Sequence, residues 1–256
     1  MYFNDVHILY YVLFGLVGTI IGEFVHYSSK CFLSEKKILS KESFKDYKKN
    51  NQPSFILMTL NALLYVALLY KFGLHSTLIE NISLIKYIVL LPMLLCVVII
   101  DYKIQIIPNR LNLLMFNIGL IFTFLLGLTN LTIAKDMLLG MVTGAGIFLT
   151  ITLVGGAIAG KEAMGLGDVK LMGALGLYFG FANIIIITVL SLLVGAIGGV
   201  IYLLIKKIRK SNKNNQLEEG YIPFGPFIVC GSIISVFVPF NILFTVLMKI
   251  FSLGLY

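Results

Sequence analysis

Long apolar runs joined by short polar stretches organise this chain. Eight runs can be marked, near 6–27, 54–72, 83–100, 111–129, 137–159, 169–181, 184–205 and 224–251. Most approach the roughly 20 residues that a helix needs to cross a bilayer. A soluble core would need strands or helices with a polar face, and these runs leave no room for one. The pattern predicts an all-α fold: a polytopic integral membrane helical bundle of about eight transmembrane helices, forming a single membrane-embedded domain over 1–256. The sixth run is short and begins beside a polar cluster, which makes it the weakest span and the one most suggestive of function. The first run lacks a basic residue ahead of it and a small-residue cleavage site, so it reads as a retained helix. Small residues recur at helical spacing in Gly15/Gly18/Gly22, Gly140/Gly144 and Gly195/Gly198/Gly199, a pattern that lets helices approach closely in lipid.

Charge sets the orientation. If all eight runs cross, sixteen of the twenty Lys and Arg residues share one side, and only Lys71, Lys86, Lys135 and Lys249 face the other. Basic residues concentrate in cytoplasmic loops, so both termini are expected outside and the 28–53 loop is expected to be a basic cytoplasmic loop. The same rule accounts for the net charge of +8 without nucleic acid as a partner; membrane lipid is the expected one. Composition agrees, with 59% hydrophobic and 12% charged residues against about a quarter charged in soluble domains. Three cysteines without a CxxC pair and three scattered histidines indicate neither a disulfide framework nor a metal site.

The twelve acidic residues are few enough for each position to matter. Asp5, Glu80 and Asp136 fall at outer ends or loops. Asp101 directly follows the run LLPMLLCVVII, and Asp168 lies in AMGLGDVKLMGALG, on the same predicted side. Either alone reads as a helix-end residue facing headgroup water. Two at matched depth point to a shared cavity, because ionisable residues at membrane depth usually do work. Two carboxyls held close cannot both ionise cheaply, so one keeps its proton. The ionised member can take a proton from water, and the protonated member can donate to a peptide carbonyl. Gly165 and Gly167 suit unusual backbone conformations and close approach to a substrate. A helix starting just after Asp168 would offer free N–H groups to developing charge. Pro108 and Asn109 suit the start of a new helix. Lys103 and Lys170 each lie two residues after an aspartate, and either lower its pKa or contact lipid phosphate.

These residues resemble the type IV prepilin peptidases, membrane aspartyl proteases of the GxGD class. The resemblance rests on Asp101 with Pro108-Asn109 seven residues on, on Gly165-Leu166-Gly167-Asp168-Val169-Lys170-Leu171, and on Ile222-Pro223-Phe224-Gly225-Pro226-Phe227. It implies a peptidase core over 83–230, with Asp101 and Asp168 as the catalytic pair and Pro223 and Gly225 shaping the site. It further implies an endopeptidase that needs no cofactor and removes the short basic leader of type IV prepilins or pseudopilins after a glycine. That cleavage would occur on the cytoplasmic side of a bacterial inner membrane. Many members also methylate the new N-terminus with S-adenosylmethionine and carry two CxxC pairs that bind zinc. Here the 28–53 region has only Cys31, and the preceding helix reads GTIIGEFVHY where GSFLNVVIYR-like runs are usual. Both departures count against methyl transfer. Glu23 belongs either to such a site or to a helix end. A presenilin-like intramembrane protease, an ion-coupled transporter using the same aspartates and a structural scaffold stand as alternatives.

Overall fold

The computed structural model describes residues 2–3, 6–34, 40, 43, 45, 47, 53–75, 77–160, 164–210 and 223–251. A two-stranded antiparallel ribbon, β1 (Tyr2–Phe3) with β2 (Val6–His7), precedes eight described helices. These are α1 (Ile8–Leu33), α2 (Phe55–Phe72), α3 (Leu78–Ile104), α4 (Asn109–Thr129), α5 (Leu131–Ala159), α6 (Leu166–Lys210), α7 (Gly225–Phe237) and α8 (Phe240–Phe251). Six of them are long and apolar enough to span a bilayer, and α7 and α8 are shorter apolar helices. The architecture is the expected polytopic helical membrane bundle, with the short ribbon added.

The sixth and seventh runs form one element, α6, which reverses at Gly180. Its φ of 77° and ψ of 178° fall in a region open essentially to glycine. Both arms return along α5: Gly140 lies against Gly176 and Gly180, and Gly144 lies against Met172 and Ile184. The first arm, 166–179, is about 21 Å long at 1.5 Å per residue. That is less than the roughly 30 Å of hydrocarbon it would have to cross, so one of its ends lies inside the membrane.

Charged residues at the reversal bond to broken helix ends. Asp136 accepts from the N–H of Phe181 at 3.3 Å, at the start of the second arm. Lys86, which is buried, donates to the carbonyl of Tyr178 at 2.6 Å, at the end of the first. Lys71 donates to the carbonyl of Val236, near the end of α7. In lipid no water can satisfy such groups, so a neighbouring helix must supply the partner. Asp136 therefore lies at the end opposite the aspartate pair, as its sequence position suggested, but inside α5.

The same accounting explains α3. Pro92 lacks an N–H and leaves the carbonyl of residue 88 without its helical donor; the Tyr65 hydroxyl of α2 donates to Ile88 O at 2.7 Å. Close packing on glycine joins α1 to α2. A Cβ at Gly18 would lie 2.6 Å from Ala62 Cα, and one at Gly22 2.6 Å from Met58 Cα, so α1 and α2 touch backbone to backbone.

Two expected boundaries move. The helix α1 continues to Leu33, so residues 28–33 are helix and not loop; most of the rest of the 28–53 region lies outside the described residues. Glu23 is consequently inside α1 and not at a helix end. The run 224–251 is divided at Val238 and Pro239 into α7 and α8, because proline disfavours helical conformation in the residue before it.

Candidate active site

Asp101 extends the buried stripe of α3. Leu90, Leu94 and Val97 are fully buried at helical spacing before it, so the next inward position carries a carboxyl where the pattern calls for an apolar side chain. The helix stops one turn later: Gln105 adopts a φ of 55°, and its N–H returns to the carbonyl of Asp101 at 2.8 Å. Pro108, extended at φ −60° and ψ 133°, then caps α4, which starts at Asn109. The helix-start role read for Pro108 and Asn109 is what the structure contains.

Asp168 lies in the first turn of α6. The helix begins at Leu166, before the aspartate and not after it, and the N–H of Asp168 bonds Gly165 O at 3.0 Å. Unpaired N–H groups at a helix start favour a negative charge. Neither Gly165 nor Gly167 has a positive φ, so unusual backbone conformation is not their contribution. Space is. A Cβ at Gly167 would lie 3.3 Å from Ile107 Cβ, and one at Gly165 would lie 3.6 Å from the Asp168 carboxyl.

The two aspartates meet at one end of the bundle. Among the described residues only three charged side chains are buried, namely Lys86, Asp101 and Asp168. The Asp101 carboxyl lies close enough for its charge to act on Asp168. Gly225, the first residue of α7, donates its N–H to Asp101 Oδ2 at 2.8 Å. A Cβ there would lie 2.7 Å from the same oxygen, so only glycine lets the helix start sit against the carboxylate. Pro223 and Phe224 lead into this contact, and Phe224 packs on Phe148 and Phe227.

The lysines do something other than restrain the aspartates. Lys170 is exposed and donates to Asn109 Oδ1 at 2.7 Å. Lys103 is exposed and acts electrostatically on His26 and Lys30 of α1. At that same end Glu23 accepts from the Tyr47 hydroxyl and from the N–H of Ser54 at 3.0 Å, while Tyr47 lies 2.7 Å from His26 Nδ1. Burial, and then the Glu23 carboxylate, push the Tyr47 phenol above its ordinary pKa. The cluster ties the 28–53 region to the first two helices.

Sequence reasoning passed over Asn112. It is buried in α4, and its Nδ2 donates to the carbonyl of Gly167 at 3.0 Å, bracing the segment before Asp168. Its Oδ1 is buried without a hydrogen-bond partner, at a cost of about 1–3 kcal/mol for such an atom. It lines a groove of about 750 Å³ between α4, α5 and the short arm of α6, with Phe116, Met141, Ala145, Val169 and Gly173. The available signal was one carboxamide inside the apolar stretch LNLLMF.

Residues 88–200, which contain both aspartates, match the model of the type IV leader peptidase family. The match covers less than half of the chain. Among similar proteins is a prepilin leader peptidase/N-methyltransferase of Aeromonas hydrophila. It is 31% identical over 169 residues, covering 66% of this chain and 52% of that protein. One of the same description from Legionella pneumophila is 31% identical over 157 residues, 61% and 51% of the respective chains. One from Escherichia coli (strain K12) is 29% identical over 137 residues, 54% and 56%. The chain thus spans about half the length of the curated relatives it matches. No solved structure gives a significant match. The matched segment ends within the second arm of α6, so Gly225 and its bond to Asp101 lie beyond it.

Proposed function

We propose that this protein is an aspartic endopeptidase that removes the short basic leader of type IV prepilins or pseudopilins. The observation that carries the reading is the meeting of Asp101 and Asp168, buried together from separate helices although 67 residues apart in sequence. One carboxyl is protonated and the other ionised, since two neighbouring charges in a poorly hydrated site repel. The ionised member takes a proton from a water held between them as that water attacks the peptide carbonyl. The protonated member donates to the carbonyl oxygen, and the proton it regains then serves the departing amine. Gly225 N–H bonds one oxygen of Asp101 and so fixes which oxygen faces the water.

The positive-inside distribution of Lys and Arg supports a site facing the cytoplasm of a bacterial inner membrane. A cationic leader suits an anionic pocket there. The groove between α4, α5 and the short arm of α6 begins at the start of α4 and runs along apolar side chains, which suits a substrate entering from the membrane edge. The peptidase step needs no cofactor. The relatives' printed names include methyl transfer, for which S-adenosylmethionine would be the donor. Glu23 accepts one hydrogen bond on each carboxyl oxygen, which leaves each oxygen a further lone pair, and most of the 28–53 region lies outside the described residues; no methyl-transfer step is assigned.

The test is co-expression with a leader-bearing prepilin from the same genome. The expected result is a shortened product whose mass begins at the residue after a glycine, and full-length precursor with Asp168→Asn at equal membrane abundance. Continued shortening with that variant overturns the assignment. A methyl group on the product's first residue would overturn the statement on methyl transfer.

A further inference from the structure

The groove between α4, α5 and the short arm of α6 carries its charge at one end. Arg110 and Lys170 line it at the starts of α4 and α6, beside Asn109, while Leu113, Phe116 and Val142 line it further in. From Asn109 to Phe116 the wall runs about 10 Å, at 1.5 Å per residue. Arg110 stands three residues before Leu113, and Lys170 four before Ala174. At those spacings residues share a helix face, so each cation tops an apolar wall on its own helix. Side chains lean toward the N-terminus of their helix, which at a helix start is outward, and both cations are exposed. Lys170 Nζ donates to Asn109 Oδ1 at 2.7 Å. That acceptor is neutral and takes one of the three ammonium donors, so the charge is held at the mouth without being cancelled.

On the orientation proposed above, this end meets the cytoplasmic leaflet. Basic pockets between membrane helices on that side bind anionic headgroups. A basic leader is repelled by the same two charges, so the mouth favours an anion over the leader. We propose that, in the substrate-free protein, the groove holds an acyl chain of an anionic phospholipid whose phosphate lies between Lys170 and Arg110. The phosphate accepts from the guanidinium and from the ammonium donors that Asn109 leaves over. The chain covers Leu113 and Val142, which are 60% and 61% exposed, and reaches Phe116. An apolar groove alone would take a lipid of any headgroup. The two cations make this one select for charge. The proposal uses the orientation given above but not the cleavage reaction, and no measurement below reads cleavage.

The experiment uses the purified full-length protein in nanodiscs that contain a small fraction of a photoreactive phospholipid. Phosphatidylglycerol and phosphatidylcholine bearing the same photoreactive acyl chain are added separately, and labelled residues are identified by peptide mass. At Leu113, Phe116 and Val142 the anionic lipid should give about five- to twentyfold more adduct, the range for one to two cations near one phosphate. At Leu16 and Ile20, exposed on α1 away from the groove, the two lipids should label alike. Equal labelling of the groove by both lipids overturns the proposal. The double variant Arg110→Gln with Lys170→Gln should abolish the preference. Lys103→Gln, which removes an exposed cation outside the groove, should keep it. A preference that survives the double variant, or that disappears with Lys103→Gln, overturns the proposal.

A second measurement needs neither charge variant to fold. A photoreactive side chain at Val142, in nanodiscs of equal phosphatidylglycerol and phosphatidylcholine, should capture mainly the anionic lipid, read as the mass added to the protein. Capture of both lipids in equal amounts, or of a second copy of the chain in their place, overturns the proposal.

Discussion

Adding one methyl group at Gly225 probes how tightly the site holds Asp101. The new Cβ would lie 2.7 Å from Asp101 Oδ2 and 3.0 Å from its Cγ, where ordinary contact begins near 3.4 Å. The carboxyl or the start of α7 must therefore yield by about 0.7 Å, the difference between 3.4 and 2.7 Å. The bond from Gly225 N to that oxygen, now 2.8 Å, would lengthen with it. A misplacement approaching 1 Å at a reacting group can cost about 10²-fold in rate. Gly225→Ala should therefore lower kcat/KM for a leader peptide by about 10²-fold, with little change in thermal midpoint because the methyl enters at a helix start. Gly146→Ala is the matched control, since nothing lies within 4 Å of a Cβ there. Activity within threefold of the unaltered protein in Gly225→Ala would refute the argument that Gly225 seats Asp101.

Three further outcomes follow from the packing. Lys86→Met should leave the Tyr178 carbonyl without its donor and lower stability by about 1–3 kcal/mol, read as a reduced thermal midpoint in detergent; an unchanged midpoint would show that the bond contributes nothing. Gly180→Ala should reduce folded protein in membranes, because its backbone angles exclude a side chain and a Cβ would run into the Asp136 carboxylate; normal abundance and midpoint would contradict the reversal described here. Tyr65→Phe should destabilise the protein by about 1–3 kcal/mol only while Pro92 is present. In a Pro92→Ala background the Ile88 carbonyl regains its helical donor and the loss should shrink; equal loss in both backgrounds would refute the coupling.

Much of this was legible from the residues because lipid removes alternatives. A run such as LLPMLLCVVII has no polar face to turn towards water, so it is a helix within the bundle whatever its neighbours. The sixth run was correctly suspect: its shortness reflects the reversal at Gly180, where one glycine sits in a backbone region closed to other residues. Boundaries that depend on small polar residues were harder to read. Tyr27-Ser28-Ser29 carries no stop signal, and α1 runs through it to Leu33. The break before Pro239 was available in the sequence but hidden in a continuous apolar run. At the site, the aspartates announced themselves by being acidic where almost nothing is. Their surroundings did not. The bond between Gly225 and Asp101 joins residues 124 positions apart, and local pattern carries no information about that. Asn112 looks like one tolerated polar residue until the groove beside it is known.

The central claim is that Asp101 and Asp168 act as one unit. The direct measurement is kcat/KM for leader cleavage by purified Asp101→Asn, Asp168→Asn and the double variant, each checked for equal folded yield. Removing either half of an acid–base pair should cost about 10³-fold, and groups that work together lose little more when both are removed. The account predicts that each single variant falls by that much and the double falls no further. Either single variant retaining a tenth of the activity, or a double loss equal to the product of the two, would contradict it.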